Sequence, residues 1–320
     1  MALIYTGIDE AGYGPMLGPL CVASVTLRIE DWTAGSPAPD IWGMLDQAVC
    51  ATKKEAKKRI AVGDSKDLKL ANNSKTRHPL YHLERAILAF LSARDHLAPE
   101  DDHTLFASLN AELERTPWYS GLPIDLPLGI DKDMLGIESN MLRTCMSKAG
   151  VELLDIRVRV VPESEFNALY TQHNTKAAAT GTALRELIQN SKKHAGDEIE
   201  SRIVCDRQSG RTKYGRLLSH LYGDIRTEEE SARASRYTCD GRTGVLLTPG
   251  ADGAYFPVAL ASMAAKLVRE LAMMRFNRYW ESMIPELKPT AGYVQDARRW
   301  LSDTHEHIDD DQRRQMIRLA

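Results

Sequence analysis

The chain has 320 residues, room for one large domain or two ordinary ones at roughly 100–200 residues each. Hydrophobic residues make up 43% and charged residues 27%, which excludes a predominantly disordered chain. Lys plus Arg number 41 against 44 Asp plus Glu; the formal net charge of −3 excludes a general coat for polyanions but can hide a local basic groove.

Residues 3–8 form a short apolar strand that stops at the acidic, glycine-rich turn DEAGYGPMLGP. Alternation over 20–29 gives a half-buried strand, and the two pair as an antiparallel hairpin. Residues 30–39 read as a loop, and the KKEAKKR run within 51–60 as the solvated face of a helix. Leu83, Ile87, Leu88 and Leu91 predict an amphipathic helix over 82–93. Residues 99–131, with Pro117, Pro123 and Pro127, are weakly patterned and look like an insertion in which Trp118 and Tyr119 must find a packing surface. A strand around Val158 and Val160 follows, then a helix over 177–189 with Gly181 inside it, then a short strand over 201–205 ending at Asp206. Residues 237–247 read as two strands about an Asp240-Gly241 turn. The strongest helix is 257–280, with proline in its first turn, and shorter helices follow near 296–301 and 310–319. A hairpin followed by alternating strands and helices indicates a mixed sheet in an α/β domain.

Five cysteines (Cys21, Cys50, Cys145, Cys205, Cys239) are scattered, odd in number and never in C-x-x-C spacing, so they read as buried thiols rather than disulfides or zinc ligands. The first residues lack the basic start of an export signal, and no stretch reaches the ~18 apolar residues of a membrane span. A cytoplasmic protein that makes no membrane contact is the expectation.

The chemistry lies in the acids. Asp9 and Glu10 close the first strand, Asp206 closes a later one, and Asp252 sits in a loop ahead of the long helix; strand ends are where α/β sheets place their chemistry. Adjacent strand residues point to opposite faces, so Asp9 and Glu10 can share one site only if the strand breaks there, as Gly12, Gly14 and Pro15 would make it do. Oxygen ligands of this kind suit hard divalent cations. Asp64-Ser65-Lys66 adds a hydroxyl and a cation, and Arg207, Gln208, Arg211, Lys213 and Arg216 after Asp206 form the basic density a groove would need. A dinucleotide-binding turn is excluded, because two carboxylates precede the glycines and no third glycine leads into a helix. None of the nine histidines has a G-x-S-x-G partner, which excludes that type of triad.

The segment GIDEAGYGPMLGP resembles the opening of ribonuclease HII, usually written GIDEAGRGPLAGP. Asp64-Ser65-Lys66-Asp67-Leu68 is similar to that family's DSKxL segment, and Asp206 to its third acid. Asp252, Pro257-Val258 and the run ASMAAKLVRE (261–270) resemble its Asp, PV and ASIxAKVxRD elements, and Gly292-Tyr293 its GY segment. The resemblance implies a single ribonuclease H-like domain over 1–320. Its mixed five-stranded sheet would be flanked by helices, with insertions near 31–63 and 95–150 and a helical C-terminal part over 281–320. It implies a two-metal endoribonuclease that hydrolyses the RNA strand of RNA–DNA hybrids and acts as a monomer, with Asp9, Glu10, Asp206 and Asp252 as catalytic residues holding two Mg²⁺ or Mn²⁺ ions. Gly12, Tyr13, Gly14, Ser65, Lys66, Arg207, Arg211, Lys266 and Tyr293 would contact the substrate, with Tyr293 under the ribonucleotide sugar and Glu270 as a support near the site. Tyr13 stands where the family has a junction-reading arginine, and Glu270 where it has Asp. The rival expectations are a nucleic-acid-binding protein of this fold that has lost catalysis, and a metal nuclease acting on another DNA or RNA structure.

Overall fold

The computed structural model describes residues 1–196, 199–208 and 210–319. Strands β1 (Leu3–Ala11) and β2 (Leu20–Ile29) form the antiparallel hairpin, in register from Leu3 opposite Ile29 to Ala11 opposite Cys21. After the single turn α1 (Ile41–Met44), residues 51–59 form turns between two short parallel strands, β3 (Val49–Cys50) and β4 (Ile60–Ala61), and not the expected helix. On a helix Lys53 would face Lys57, and Lys54 would face Lys58, one turn apart, and like charges at that spacing oppose helix formation.

The short α2 (Ser65–Leu68) leads to α3 (Tyr81–Asp95), which is not amphipathic in the fold: every residue from 82 to 93 is buried. Its cover is the inserted region, which contains α4 (Asp102–Ser108) and α5 (Lys132–Lys148). The insertion meets the charged residues of α3 with matched partners. Glu84 accepts the backbone N–H groups of Leu128, Gly129 and Ile130, and Arg85 donates to both oxygens of Glu138 on α5. Trp118 stacks on Trp280 at 6.4 Å, beside Phe276 and Trp300 in a separate aromatic core near the C-terminal helices.

The chain continues through β5 (Val151–Val161), α6 (Glu163–His173), α7 (Ala177–Ala195), β6 (Glu200–Asp206), α8 (Gly215–Tyr222), β7 (Ile225–Glu230), β8 (Ser235–Cys239) and β9 (Thr243–Thr248). A turn of 3₁₀ helix (Ala251–Gly253) then introduces α9 (Phe256–Met283), and α10 (Val294–Asp303) and α11 (Asp310–Met316) follow it. The main sheet is mixed, as expected, but has seven strands rather than five, in the order β5-β2-β1-β6-β9-β8-β7. Only β1/β6 and β6/β9 are parallel. Helices cover both faces. Tyr5, Ala23 and Val25 meet α9 and α3 on one side, while Ile8, Val22 and Ile203 meet α7 on the other.

Where α9 crosses β1 the two backbones touch. A Cβ on Gly7 would lie 2.1 Å from Pro257 C and Val258 N, so only glycine lets the helix start this close to the strand that carries Asp9. The five cysteines are free, four of them buried. Among the described residues no helix is long and apolar enough to cross a membrane.

Candidate active site

Parallel pairing of β1 with β6 ends at Ile8 opposite Cys205, whereas antiparallel pairing with β2 continues to Ala11. The expected break at residues 9–10 is therefore absent. It is the neighbouring strand that stops, and the Asp9 and Glu10 carboxylates come near Asp206, the last residue of β6. Asp206 accepts the backbone N–H of Ala251 at 2.9 Å, which holds the 3₁₀ turn carrying Asp252 against the strand end. Asp9 is buried and accepts a hydrogen bond from Ser262 on α9, whose hydroxyl is 3.0 Å from that of Ser65 at the start of α2. Three elements thus fix the acid that lies deepest.

The electrostatics follow from this crowding. Burial, and then the charges of Glu10 and Asp206, hold the Asp9 carboxyl well above the usual carboxylate range. Burial, followed by the charges of Asp206 and Asp252, pushes Glu10 up to about 8 against the opposing pull of Lys66. Asp206 and Asp252 are also raised, mainly by burial. Burial works against the charge of Lys66, but the carboxylates of Asp64, Asp252, Asp9 and Asp206 outweigh it and keep its ammonium above the usual lysine range. Carboxylates that disfavour one another's ionisation offer a site in which a cation is strongly favoured.

The glycine turn stands beside these acids. Gly12 has φ +91°, and a Cβ there would meet the Arg269 side chain and Pro19 O at 2.6–2.8 Å; Gly14 is exposed with open space around it, and Tyr13 between them is half-buried. The rest of the turn is tied down from two directions. Met16 and Leu17 donate their N–H groups to Gly292 O, and the C-terminal strap bridges Leu17 with Ile317 and places the Arg318 N–H on Met16 O at 2.9 Å. Tyr293, next to Gly292, is 46% exposed, and the buried Arg269 guanidinium lies 5.5 Å from its ring centroid. The structure therefore brings the glycine turn and Tyr293 together.

The remaining residues named from the sequence are placed as follows. Ser65 is buried and bonded within the protein. Lys66 is among the acids. Lys266 pairs with Glu270 at 3.4 Å, and Glu270 pairs equally with Lys69. The Arg207 guanidinium is taken up by Ala232 O, Ser231 O and Ser235 Oγ, which brace the β7–β8 turn. Arg211 faces a cavity between α7 and α8. Three contributors stood in segments quoted from the sequence but were given no role in the site. Asp64 caps α2 and adds its charge to Asp252; Ser262 bonds Asp9; and Arg269 backs Gly12. The signal available for the last two was their place in the run ASMAAKLVRE, where Ser262 is a lone hydroxyl among apolar residues.

Four carboxylates with one lysine among them form an oxygen-donor set whose chemistry fits Mg²⁺ or Mn²⁺. Among the described residues no three His, Cys, Asp or Glu side chains are already arranged to hold an ion. The sequence matches no protein-family model and no curated protein. Solved structures similar to the chain include the ribonuclease HII of Archaeoglobus fulgidus in its complex with PCNA (17% identity, TM-score 0.44, covering 99% of this chain and 94% of that one). They also include ribonuclease H2 from Pyrococcus horikoshii (16%, 0.38, 96% and 88%) and Bst ribonuclease HIII in complex with Mn²⁺ (15%, 0.43, 99% and 66%). All three of those proteins are ribonucleases H, and this chain is similar to them in structure.

Proposed function

We propose that the chain is a divalent-metal-dependent endoribonuclease that hydrolyses the RNA strand of RNA–DNA hybrids and leaves 5′-phosphate and 3′-hydroxyl ends. The observation that carries this reading is the meeting of Asp9, Glu10, Asp206 and Asp252 at one end of the sheet, their carboxyls raised by burial and by one another. When bound, two divalent ions would supply an activated water and charge stabilisation at the leaving 3′ oxygen. Asp9, held by Ser262, and Asp206, held by the Ala251 N–H, are the acids with fixed orientation. Lys66 offers N–H donors to a phosphate entering among the acids. The backbone at Gly12 and the open Gly14, with the exposed ring of Tyr293, forms the surface that addresses the ribose, whose 2′-hydroxyl separates RNA from DNA.

The Tyr13 position bears on the choice of substrate. Arg269 stands directly behind Gly12 but is fully buried, so it does not replace at the surface the guanidinium that the related sequences carry at position 13. The expected preference is a continuous hybrid over a single ribonucleotide embedded in duplex DNA. The test is cleavage with Mg²⁺ and with Mn²⁺ of four substrates: hybrid, single-ribonucleotide duplex, duplex DNA and single-stranded RNA. Hybrid should be cut best, and Asp206→Asn and Asp252→Asn should each slow cleavage by about 10³-fold or more. Either variant cutting as fast as wild type would overturn the assignment; cleavage of duplex DNA alone would move it to another nuclease class.

A further inference from the structure

A cavity of about 580 Å³ opens between the end of α6, the first half of α7 and α8, and its lining includes His173, Gly181, Arg185, Arg211, Arg216 and His220 but no Asp or Glu. Several arginines elsewhere are paired with acids: Arg85 with Glu138, Arg275 with Asp102, Arg159 with Glu165 and Glu186, Arg299 with Asp296 and Asp303. Among the described residues the Arg185 and Arg216 guanidiniums have no hydrogen bond or ion pair. Arg211 is instead fixed in place, with its Nε on Lys213 O at 3.0 Å and its guanidinium over the Tyr214 ring at 4.5 Å.

Gly181 supplies an independent observation. Glycine inside a helix is destabilising by roughly 0.5–1 kcal/mol relative to alanine, yet α7 keeps one in its first half. A Cβ there would come 3.3 Å from Arg211 Nη1 and would crowd the guanidinium. Glycine thus leaves the Arg211 guanidinium a few tenths of an ångström more room than alanine would. The loop leaving the strand end is tied to the same helix: two residues beyond Asp206, Gln208 donates to Thr180 O, next to Gly181, at 3.3 Å. Guanidinium forks suit phosphate oxygens, and several of them in one concavity without a carboxylate, Arg185 and Arg216 being exposed to solvent, favour an entering anion. The volume lies in the range of ligand sites, larger than one phosphate needs.

We propose that this cavity is a metal-independent site for the phosphodiester backbone of the nucleic-acid strand that passes the acids, gripped by Arg185, Arg211 and Arg216. The polymer is that of the proposed function, so the test reads binding rather than cleavage. Fluorescence anisotropy in EDTA measures hybrid binding by the full chain as wild type, as an Arg185→Gln/Arg216→Gln double variant and as the matching Arg→Lys pair. The glutamine pair should weaken binding by about tenfold or more and flatten the dependence of log K on log salt by about 2, one for each phosphate no longer neutralised, while the lysine pair should restore the salt slope. Equal affinity and slope in a glutamine pair that melts like wild type would overturn the proposal. Pyrophosphate binding that depends on the two arginines, with hybrid affinity unaffected by their loss, would overturn it in favour of a small-anion site. A wild type that binds hybrid through these arginines but cuts nothing with Mg²⁺ or Mn²⁺ would overturn the nuclease reading and leave this one standing.

Discussion

Buried charge takes two forms in this protein. In the layer over α3 every ion is matched: Arg85 holds Glu138 at 2.5 and 2.7 Å, and Arg275 on α9 holds both oxygens of Asp102 at 2.6 Å while donating to Tyr119 O and Gly121 O. At the end of the sheet, four carboxylates and Asp64 share Lys66 as their nearby cation, and the carboxyls rise in response. The matched set needs nothing from outside and acts as scaffold, tying the insertion to the helix that also carries Ser262. The unmatched set holds back part of its compensation, which leaves a place for ligand charge. The arginine cavity beside α7 repeats the second pattern with opposite sign.

The largest expected effect comes from breaking a matched pair. Arg275→Ala leaves Asp102 ionised and buried with two carbonyls unpartnered, and should cost about 3–5 kcal/mol of unfolding free energy by urea titration. A loss under 1 kcal/mol would mean that the insertion does not depend on this clamp. A smaller effect is expected at Glu163, which shows what happens when a buried acid has no arginine clasp. It accepts Tyr119 Oη–H at 2.7 Å, but burial still pushes its carboxyl from 4.5 to about 7. The folded chain therefore binds this proton more tightly than the unfolded one. The stabilisation is complete below pH about 4.5 and is lost as pH rises through about 7. Glu163→Gln keeps the acceptor oxygen and removes the titration, so it should be more stable than wild type by on the order of 1–3 kcal/mol at pH 8, and the difference should vanish near pH 4. Parallel stability curves for the two proteins across that range would refute this.

The same division explains which parts could be read from sequence. The hairpin, α7, β6 and the body of α9 follow directly from apolar spacing, because their inner faces meet mostly apolar neighbours, with a few buried polar contacts such as Thr6 with Ser191. The position of α5 does not: Leu135, Leu142 and Met146 keep helical spacing, but Glu138 and Ser139 interrupt the buried stripe, and Glu138 is there for Arg85. Likewise β7, with the sequence IRTEEE, is a half-exposed edge strand whose charged residues hide its pairing with β8. The KKEAKKR run has the composition of a helix face without the alternating signs that would support one. At the site, the acids and the glycine turn were legible because their order along the chain is distinctive. Asp64, Ser262 and Arg269 lie in segments whose motifs were legible, but what Ser262 and Arg269 do depends on contacts between distant segments that the motifs do not specify. Gly7, read simply as part of an apolar strand, turns out to set the distance between β1 and α9.

The smallest effect tests the unmatched set itself. Asp252 raises Glu10 and is in turn raised by Asp64 and Asp206, so replacing it with asparagine removes a repulsive charge while keeping the shape. In metal-free buffer near pH 8, Asp252→Asn should be more stable than wild type by about 1 kcal/mol, a gain of the kind that follows when a functional site gives up its strain. The sign is that of a raised carboxyl. Wild type recovers this stability as pH falls and the acids protonate, so the gain should disappear at acid pH. Added Mg²⁺ should close the gap from the other side, because an ion that binds the folded acids stabilises wild type by mass action and the variant less. A variant less stable than wild type in EDTA would show that Asp252 is satisfied within the protein after all, and the distinction between matched scaffold and unmatched site would fail at the residue where it is easiest to measure.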